Sequence, residues 1–346
     1  MKRLYFYNVT FFYIYKMKLL LLILLTFYGA GCSQINDQNS IQLVLENAVN
    51  NKFDGIIVYV DKDDDSKHYS AGWKNREDEI PADPYSLFKI ASISKLYIAA
   101  ATAKIVSEGS LSIDKTLSEY LPDLNCRIEN AETITLKMML QHRSGIPNFT
   151  DEEYNYPWGE TPQSSRKTLE LVLDMPADFK PNKKYKYSNT NYLLIGEILD
   201  KTLGYSHHQY IKEEILIPLE LNNTYSLLSE INLDDLTSGY HIGWKMDVKQ
   251  NDYIIPGGSM IATIKEVGIF LRALIDGSLL NNEEQEIYTS IYKYEHTGLL
   301  PGYHSIARYQ KEIDAVVVLF INTSGNSWSK TESIYKKIIK AIKRES

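Results

Sequence analysis

The stretch LFKIASISKLYIAA, Leu87 to Ala100, decides how this chain is read. Ser92 stands three residues before Lys95. In a helix that spacing puts the two side chains one turn apart on the same face. A hydroxyl beside a basic nitrogen is the simplest arrangement for making an oxygen nucleophilic. Spacing alone decides little, because Ser86/Lys89, Ser112/Lys115, Ser164/Lys167, Ser290/Lys293, Ser327/Lys330 and Ser333/Lys336 share it. Serine is also a favoured helix N-cap, so the rest of the chain has to single Ser92 out.

Around this stretch the sequence is organised simply. GIIVYV (Gly55 to Val60) reads as a buried strand, and His68 to Trp73 as its hairpin partner across the turn KDDDS. A helix is expected from Ser92 or Ile93 to Gly109. A largely helical middle follows, with Leu136 to His142, Leu169 to Met175, Tyr192 to Leu203 and His208 to Leu216 suited to helices between Gly- and Pro-marked loops. Strand-like runs return at Ser238 to Trp244, Gly302 to Tyr309 and Ala315 to Asn322, and an amphipathic helix closes the chain from about Ser329 to Lys343. Strands at both ends with helices between them predict an α+β fold: one antiparallel sheet built from both chain ends, flanked by helices, with an inserted helical lobe. A cleft then forms between sheet and lobe, with Ser92 at the start of the helix that enters the lobe.

Composition bounds the possibilities. With 346 residues, 44% hydrophobic and 23% charged, the chain can bury a sizeable core. LLLLILLTFY (Leu19 to Tyr28) follows Lys16 and Lys18 and runs into Gly29, Ala30, Gly31 and Cys32, which describes a secretory signal over residues 1–31. The start is either Met1 or Met17. Small residues leading directly into a cysteine resemble a bacterial lipoprotein signal, which implies lipid on Cys32, a tether over 32–40, a globular domain over 41–346, and attachment to a cell-envelope membrane facing periplasm or exterior. Simple secretion, with Cys32 incidental, is the alternative. Residues 1–31 carry Lys2, Arg3, Lys16 and Lys18 and no acid, so their removal takes the formal net charge from −7 to −11. An acidic body without basic runs argues against nucleic acid as a partner. Cys126 is then the one thiol of the body, expected buried and inert. Nothing in the sequence implies a metal or organic cofactor.

Three further stretches carry chemistry. KYKYSNTNYLLIG holds Tyr187-Ser188-Asn189, YEHTGLLPGYHS holds His296-Thr297-Gly298, and TLKMMLQHRSGIPNF holds His142 in what reads as a structural loop. Each residue alone has a plainer reading: Tyr187 a core aromatic, Asn189 a helix cap, His296 a polar residue at a strand edge. Together, and in this order, they resemble the serine beta-lactamase-related family of class C beta-lactamases, D-Ala-D-Ala carboxypeptidases and related serine esterases and peptidases. EGSLSIDKTLSEYLPD, PLELNNTYS and GGSMIATIKEVGIFLRALIDG are similar to further landmarks, so the resemblance covers nearly the whole body.

The resemblance implies roles. Ser92 is the acylating nucleophile, and Lys95, with a lowered pKa, takes or relays its proton. Tyr187 shares the base role, its phenol acidified by neighbouring cations. Asn189 binds the substrate's acyl-side amide and helps hold Lys95. Thr297 binds a substrate carboxylate, Gly298 lets the strand edge pass close to substrate, and the N–H groups of Ser92 and Leu299 form the oxyanion hole. His296 stands where most beta-lactamases carry lysine, and a histidine is cationic only part of the time near neutral pH. That places beta-lactam turnover low. The expected activity is a serine hydrolase acting through an acyl-enzyme on a D-amino-acid peptide, amide or ester, such as peptidoglycan fragments. A serine esterase or a non-catalytic penicillin-binding sensor of the same fold are the alternatives.

Overall fold

In the computed structural model of the chain, residues 40–63, 65–154, 156–158, 164–325 and 328–345 are described. The expected signal, Cys32 and the expected tether as far as residue 39 lie outside them.

β-Branched and aromatic residues suit a pleated surface, and GIIVYV forms β1 (Gly55–Lys62), which hairpins into β2 (Asp65–Asn75) with β3 (Ile80–Pro81) beyond it. Four short strands follow: β4 (Phe88–Lys89), β5 (Thr224–Tyr225), β6 (Tyr240–His241) and β7 (Ile261–Ala262). The chain then returns to the main sheet with β8 (Glu295–Leu300), β9 (Tyr303–Gln310) and β10 (Ala315–Ile321), and ends its strands with β11 (Thr323–Ser324). The main sheet runs β3-β2-β1-β10-β9-β8, antiparallel throughout, with Ile57 opposite Phe320 and Gly298 opposite Ser305. Both chain ends therefore build it, and β8 is its outer strand. A three-stranded sheet, β4-β7-β5, sits within the lobe, and β11 pairs parallel with β6.

Strand alternation divides the core. Ile56, Val58, Val60, Val317, Leu319 and Ile321 face the terminal helices Ile41–Asn50 and Trp328–Glu345, which contribute Ile41, Leu45, Ile334 and Ile338. Ile57, Tyr59, Val316, Val318 and Phe320 point the other way and pack with the lobe. The lobe is centred on the Ser94–Ser107 helix, whose residues 94–103 are all buried, as expected for a helix apolar all round.

Several elements differ from the sequence reading. The main helix starts at Ser94, because residues 91–93 form a single 3₁₀ turn. Only Tyr240–His241 of the 238–244 run is strand, and Gly243 at φ 92° turns the chain away. The helix expected at 169–175 lies at Ser165–Leu169, and Asp174 at φ 65° keeps the following turns from continuing it. Helices Ile264–Asp276 and Asn282–Ile291 were not anticipated element by element. Cys126 is exposed, not buried. It lies in a turn where Leu124 and Ile128, four apart, both point inward and leave residue 126 on the opposite side. Among the described residues no helix is long and apolar enough to cross a membrane.

Candidate active site

The site is assembled where β4 turns into the central helix. Ala91 takes a left-handed φ of 52°, uncommon for a residue with a Cβ. Its neighbours hold it there. Ile90 N donates to Met260 O at 3.0 Å, Ser94 Oγ donates to Ala91 O at 2.6 Å, and Ser305 Oγ from β9 donates to Ile90 O at 2.9 Å. Ser92 is thus presented on a fixed turn, half-buried, with its hydroxyl in the cleft.

Lys95 lies one turn on and is fully buried. Its Nζ is 3.1 Å from Ser92 Oγ, 3.0 Å from Asn189 Oδ1 and 2.8 Å from Gly257 O. Burial without a carboxylate partner pushes its pKa down to about 7. A neutral amine has two N–H groups and one lone pair. The two carbonyl oxygens take both N–H groups, which leaves the lone pair for the serine hydroxyl.

Tyr187 Oη donates to Ser92 Oγ at 2.8 Å. Burial raises its pKa, contrary to the expectation of an acidified phenol. The Lys95 amine, 5.2 Å from the ring centroid, is too nearly neutral and too well engaged to reverse that effect. Tyr187 is a proton donor in the resting site. His142 stacks behind it, ring centroids 4.3 Å apart, and its Nδ1 accepts the Ser188 N–H at 3.2 Å. Burial holds that imidazole neutral, with a pKa near 3. It does not line the larger cavity described below and serves as a backing plate for Tyr187. Asn189 is oriented by its own contacts: its N–H donates to Asn148 Oδ1 at 2.8 Å and its Nδ2 to Thr150 Oγ1 at 3.1 Å. Its side chain does not cap the helix it precedes.

The third motif forms the far wall. A Cβ on Gly298 would lie 2.1 Å from Ser305 Oγ and 2.5 Å from Ile90 O, so only glycine lets β8 pass this close to the turn carrying Ser92. As an outer strand β8 leaves a row of backbone groups without a neighbouring strand, and Leu299 lines the cavity together with Ser92. His296 Nδ1 contacts Thr297 O, and its ring stacks on Tyr292 at 6.0 Å. Burial, with the Lys95 amine adding to it, holds His296 well below its ordinary pKa. The imidazole is neutral where the family usually has a lysine cation.

These groups open into a cavity of about 790 Å³. Among the described residues Glu152 is its one lining carboxylate, and neither lysine nor arginine lines it. His241 and His304, also on its wall, are lowered by burial like His296. Three of the chain's four tryptophans, Trp158, Trp244 and Trp328, face the same space. A second cavity of about 410 Å³ adjoins it across Tyr187, His296 and Thr297, and holds Lys293 and Arg308. Among the described residues no cluster of histidine, cysteine, aspartate or glutamate is suited to a metal ion.

Every residue singled out by the motifs within the described chain, namely Ser92, Lys95, Tyr187, Asn189, His296, Thr297, Gly298 and Leu299, lies on or beside this cleft. The motif reading passed over Gly257, Thr150 and Asn148. Gly257 acts through a backbone carbonyl, for which the sequence has no letter.

Comparison with known proteins agrees with this architecture. A penicillin-binding protein of Bacillus subtilis strain 168 is 24% identical over 224 residues, 64% of this chain and 48% of that protein. Protein flp of Staphylococcus aureus strain MW2 is 30% identical over 158 residues, 44% of this chain and 30% of flp. The chain thus spans about half of the first relative and less than a third of the second. Among solved structures, D-amino acid amidase from Ochrobactrum anthropi SV3 superposes with a TM-score of 0.78 at 21% identity, covering 89% of this chain and 99% of the amidase, which establishes a shared fold. The beta-lactamase family model matches residues 41–291. That match takes in most of the lobe and the turn carrying Ser92, and by it the chain belongs to the beta-lactamase family of serine hydrolases.

Proposed function

We propose that the chain hydrolyses a D-amino-acid peptide, amide or ester through an acyl-enzyme on Ser92, with peptidoglycan fragments as the natural substrate class. The observation that carries this reading is the convergence of Lys95 Nζ and Tyr187 Oη on Ser92 Oγ, at 3.1 and 2.8 Å, with the lysine fully buried.

Each group has a step. Lys95, neutral in part near pH 7, takes the Ser92 proton as Oγ attacks the carbonyl carbon. The developing oxyanion is met by the N–H groups of Ser92 and Leu299; one such donor contributes roughly 3 kcal/mol. Tyr187 gives its proton to the leaving nitrogen or oxygen as the bond to carbon breaks, and recovers one from the Lys95 ammonium. Water then attacks the ester in the reverse sense and frees the acid. Asn189 holds the acyl-side amide and Thr297 the leaving side.

The cavity's electrostatics refine the substrate. Within the larger cavity a neutral His296 and a described wall without lysine or arginine provide no permanent cation for a carboxylate, Lys293 and Arg308 lying in the adjoining cavity, and this favours an uncharged amide or ester end there. Two fold neighbours, D-amino acid amidase from Ochrobactrum anthropi SV3 and a D-stereospecific amidohydrolase from Streptomyces sp., point the same way. The experiment is stoichiometric labelling by a fluorophosphonate, followed by turnover of a D-amino-acid amide, a D-Ala-D-Ala peptide and a short acyl nitrophenyl ester side by side. We expect labelling that disappears in Ser92→Ala, and amide or ester turnover above that of the peptide. Absence of labelling under all conditions rejects the hydrolase and leaves a binding protein.

The N-terminal reading belongs to the same proposal: lipid on Cys32 holds the enzyme at a bacterial envelope membrane. Release of Cys32→Ala into the soluble fraction is the expected outcome, and undiminished membrane attachment of that variant rejects it.

A further inference from the structure

A second buried lysine lies on the other side of the nucleophile. Lys89, at the end of β4, is 3% exposed. Its Nζ donates to Lys249 O at 2.7 Å and, more closely still, to Asn251 O. It sits 5.3 Å from the Tyr253 ring and 5.4 Å from the Tyr303 ring. Lys95 holds Gly257 O, six residues further along the same segment. Two lysines placed symmetrically about Ser92, at −3 and +3, therefore pin one loop at its two ends.

The loop's far end closes over the base. Gly257 has φ 73°, and a Cβ there would meet Tyr192 Cδ1 at 2.7 Å and Lys95 Cγ at 2.9 Å. The strap thus lies directly against the Lys95 stem and keeps water from it. Val248, Tyr253 and Ile255 are buried and hold the loop to the fold. The seat of its polar backbone at residues 249 and 251 is the pair of N–H donations from the Lys89 amine.

We infer that Lys89 is a positioning residue for catalysis: it seats the 249–257 strap so that Gly257 covers and orients the Lys95 amine. This rests on the reading of Ser92 and Lys95 as nucleophile and base.

The charged and titratable groups around the two amines fix the sign of the effect. Asp247 and Asp252 act on Lys89, beside the Tyr253 and Tyr303 rings. Lys95 faces Ser92, Tyr187 and Tyr192, and the neutral His142 and His296 lie near enough to feel its charge. Burial is what lowers Lys95, and no carboxylate opposes it. A strap that lifts admits water, and that raises the Lys95 pKa toward its ordinary value, so less free amine is present at neutral pH.

The test is the rate of fluorophosphonate labelling of the full chain against pH, in wild type, Lys89→Met and Lys89→Gln, with hydrogen exchange of residues 247–257 read in parallel. In Lys89→Met we expect faster exchange in the strap. Its saturating labelling rate should fall about tenfold at pH 7, with the half-saturating concentration little changed, and recover by about pH 9.5. Lys89→Gln keeps a donor for the carbonyls and should fall between the two. A strap that loosens while labelling keeps its wild-type rate and pH profile overturns the inference. So does a labelling loss of equal size at every pH, which is the mark of a merely structural lysine. If Lys89→Met does not fold, Lys89→Gln carries the same two readouts. Failure of wild type to label at Ser92 would sink the catalytic reading itself, and is thereby distinguished from failure of this one.

Discussion

Two successive Ser-x-x-Lys pairs, six residues apart, share their spacing and a buried lysine but not their geometry. Ser86 and Lys89 never meet: Ser86 Oγ donates to Asp83 Oδ2 at 3.2 Å, and Lys89 reaches the 249–251 carbonyls. Ser92 and Lys95 do meet, at 3.1 Å. Between 86 and 89 the chain enters a strand, where residues three apart point to opposite faces. Between 92 and 95 it passes through a 3₁₀ turn into a helix, where they share one. A side-chain pair in sequence becomes a chemical pair only through the local backbone. The sharpest way to break this comparison is to delete both hydroxyls in turn. Ser92→Ala is expected to abolish labelling and lower turnover by at least about three orders of magnitude, while Ser86→Ala leaves both within a factor of about two. Comparable losses in the two variants would show that the second pair also takes part in the chemistry.

The next effect separates the roles of the two groups that converge on Ser92. Lys95→Met removes the free amine and is expected to slow acylation about 1,000-fold. Tyr187→Phe keeps the ring on His142 but loses the O–H, and is expected to cost roughly 100-fold. Because Tyr187 is held protonated in the resting site, its loss should be felt most with poor leaving groups. An activated nitrophenyl ester, which needs little proton donation, should react with Tyr187→Phe nearly as with wild type. An equal loss for the ester and the amide would return Tyr187 to the role of base.

A smaller effect comes from the opposite wall. Gly298→Ala places a methyl against Ser305 Oγ and Ile90 O. Something must shift, and the turn carrying Ser92 is tied to Ile90 through that same serine. We expect a destabilisation of about 1–3 kcal/mol and a labelling rate reduced on the order of tenfold, measured by thermal melting and fluorophosphonate kinetics. Wild-type rate and melting in Gly298→Ala would mean that β8 need not pass so close.

The motifs made one half of this site legible. Ser92, Lys95, Tyr187 and Asn189 act through side chains at spacings that the backbone turns into contacts, and the strand–helix–strand order announced the α+β architecture. The other half acts through burial and backbone groups. Whether Tyr187 is acid or base depends on how deeply its phenol is buried, a property of the assembled cleft. The two carbonyls that orient the Lys95 amine come from Asn189, whose side chain a motif names for this, and from Gly257, which opens a landmark stretch but acts through its backbone. Cys126 reads as buried because the sequence offers it no partner, and the turn between Leu124 and Ile128 sets it on the outer face.

The mildest test sharpens the comparison of the two lysines themselves. Burial lowers both from an ordinary value of 10.5 to about 7, although Asp247 and Asp252 offset part of the effect at Lys89. For a base whose folded pKa is depressed, the unfolded chain holds more protons than the folded one between the two values, so stability rises with pH across that window. Below about pH 7 both states are protonated and the penalty of a buried ammonium is constant. Above pH 10 tyrosines such as Tyr187, raised by burial, reverse the trend, because the unfolded chain then loses phenol protons that the fold retains. The clean interval is pH 7 to 9.5. Wild type should gain melting temperature across it, and Lys89→Met and Lys95→Met should each show a shallower rise, since each lacks one of the two depressed amines. A variant whose melting curve climbs as steeply as wild type would mean that its lysine stays charged in the fold and is stabilised there by its carbonyl partners.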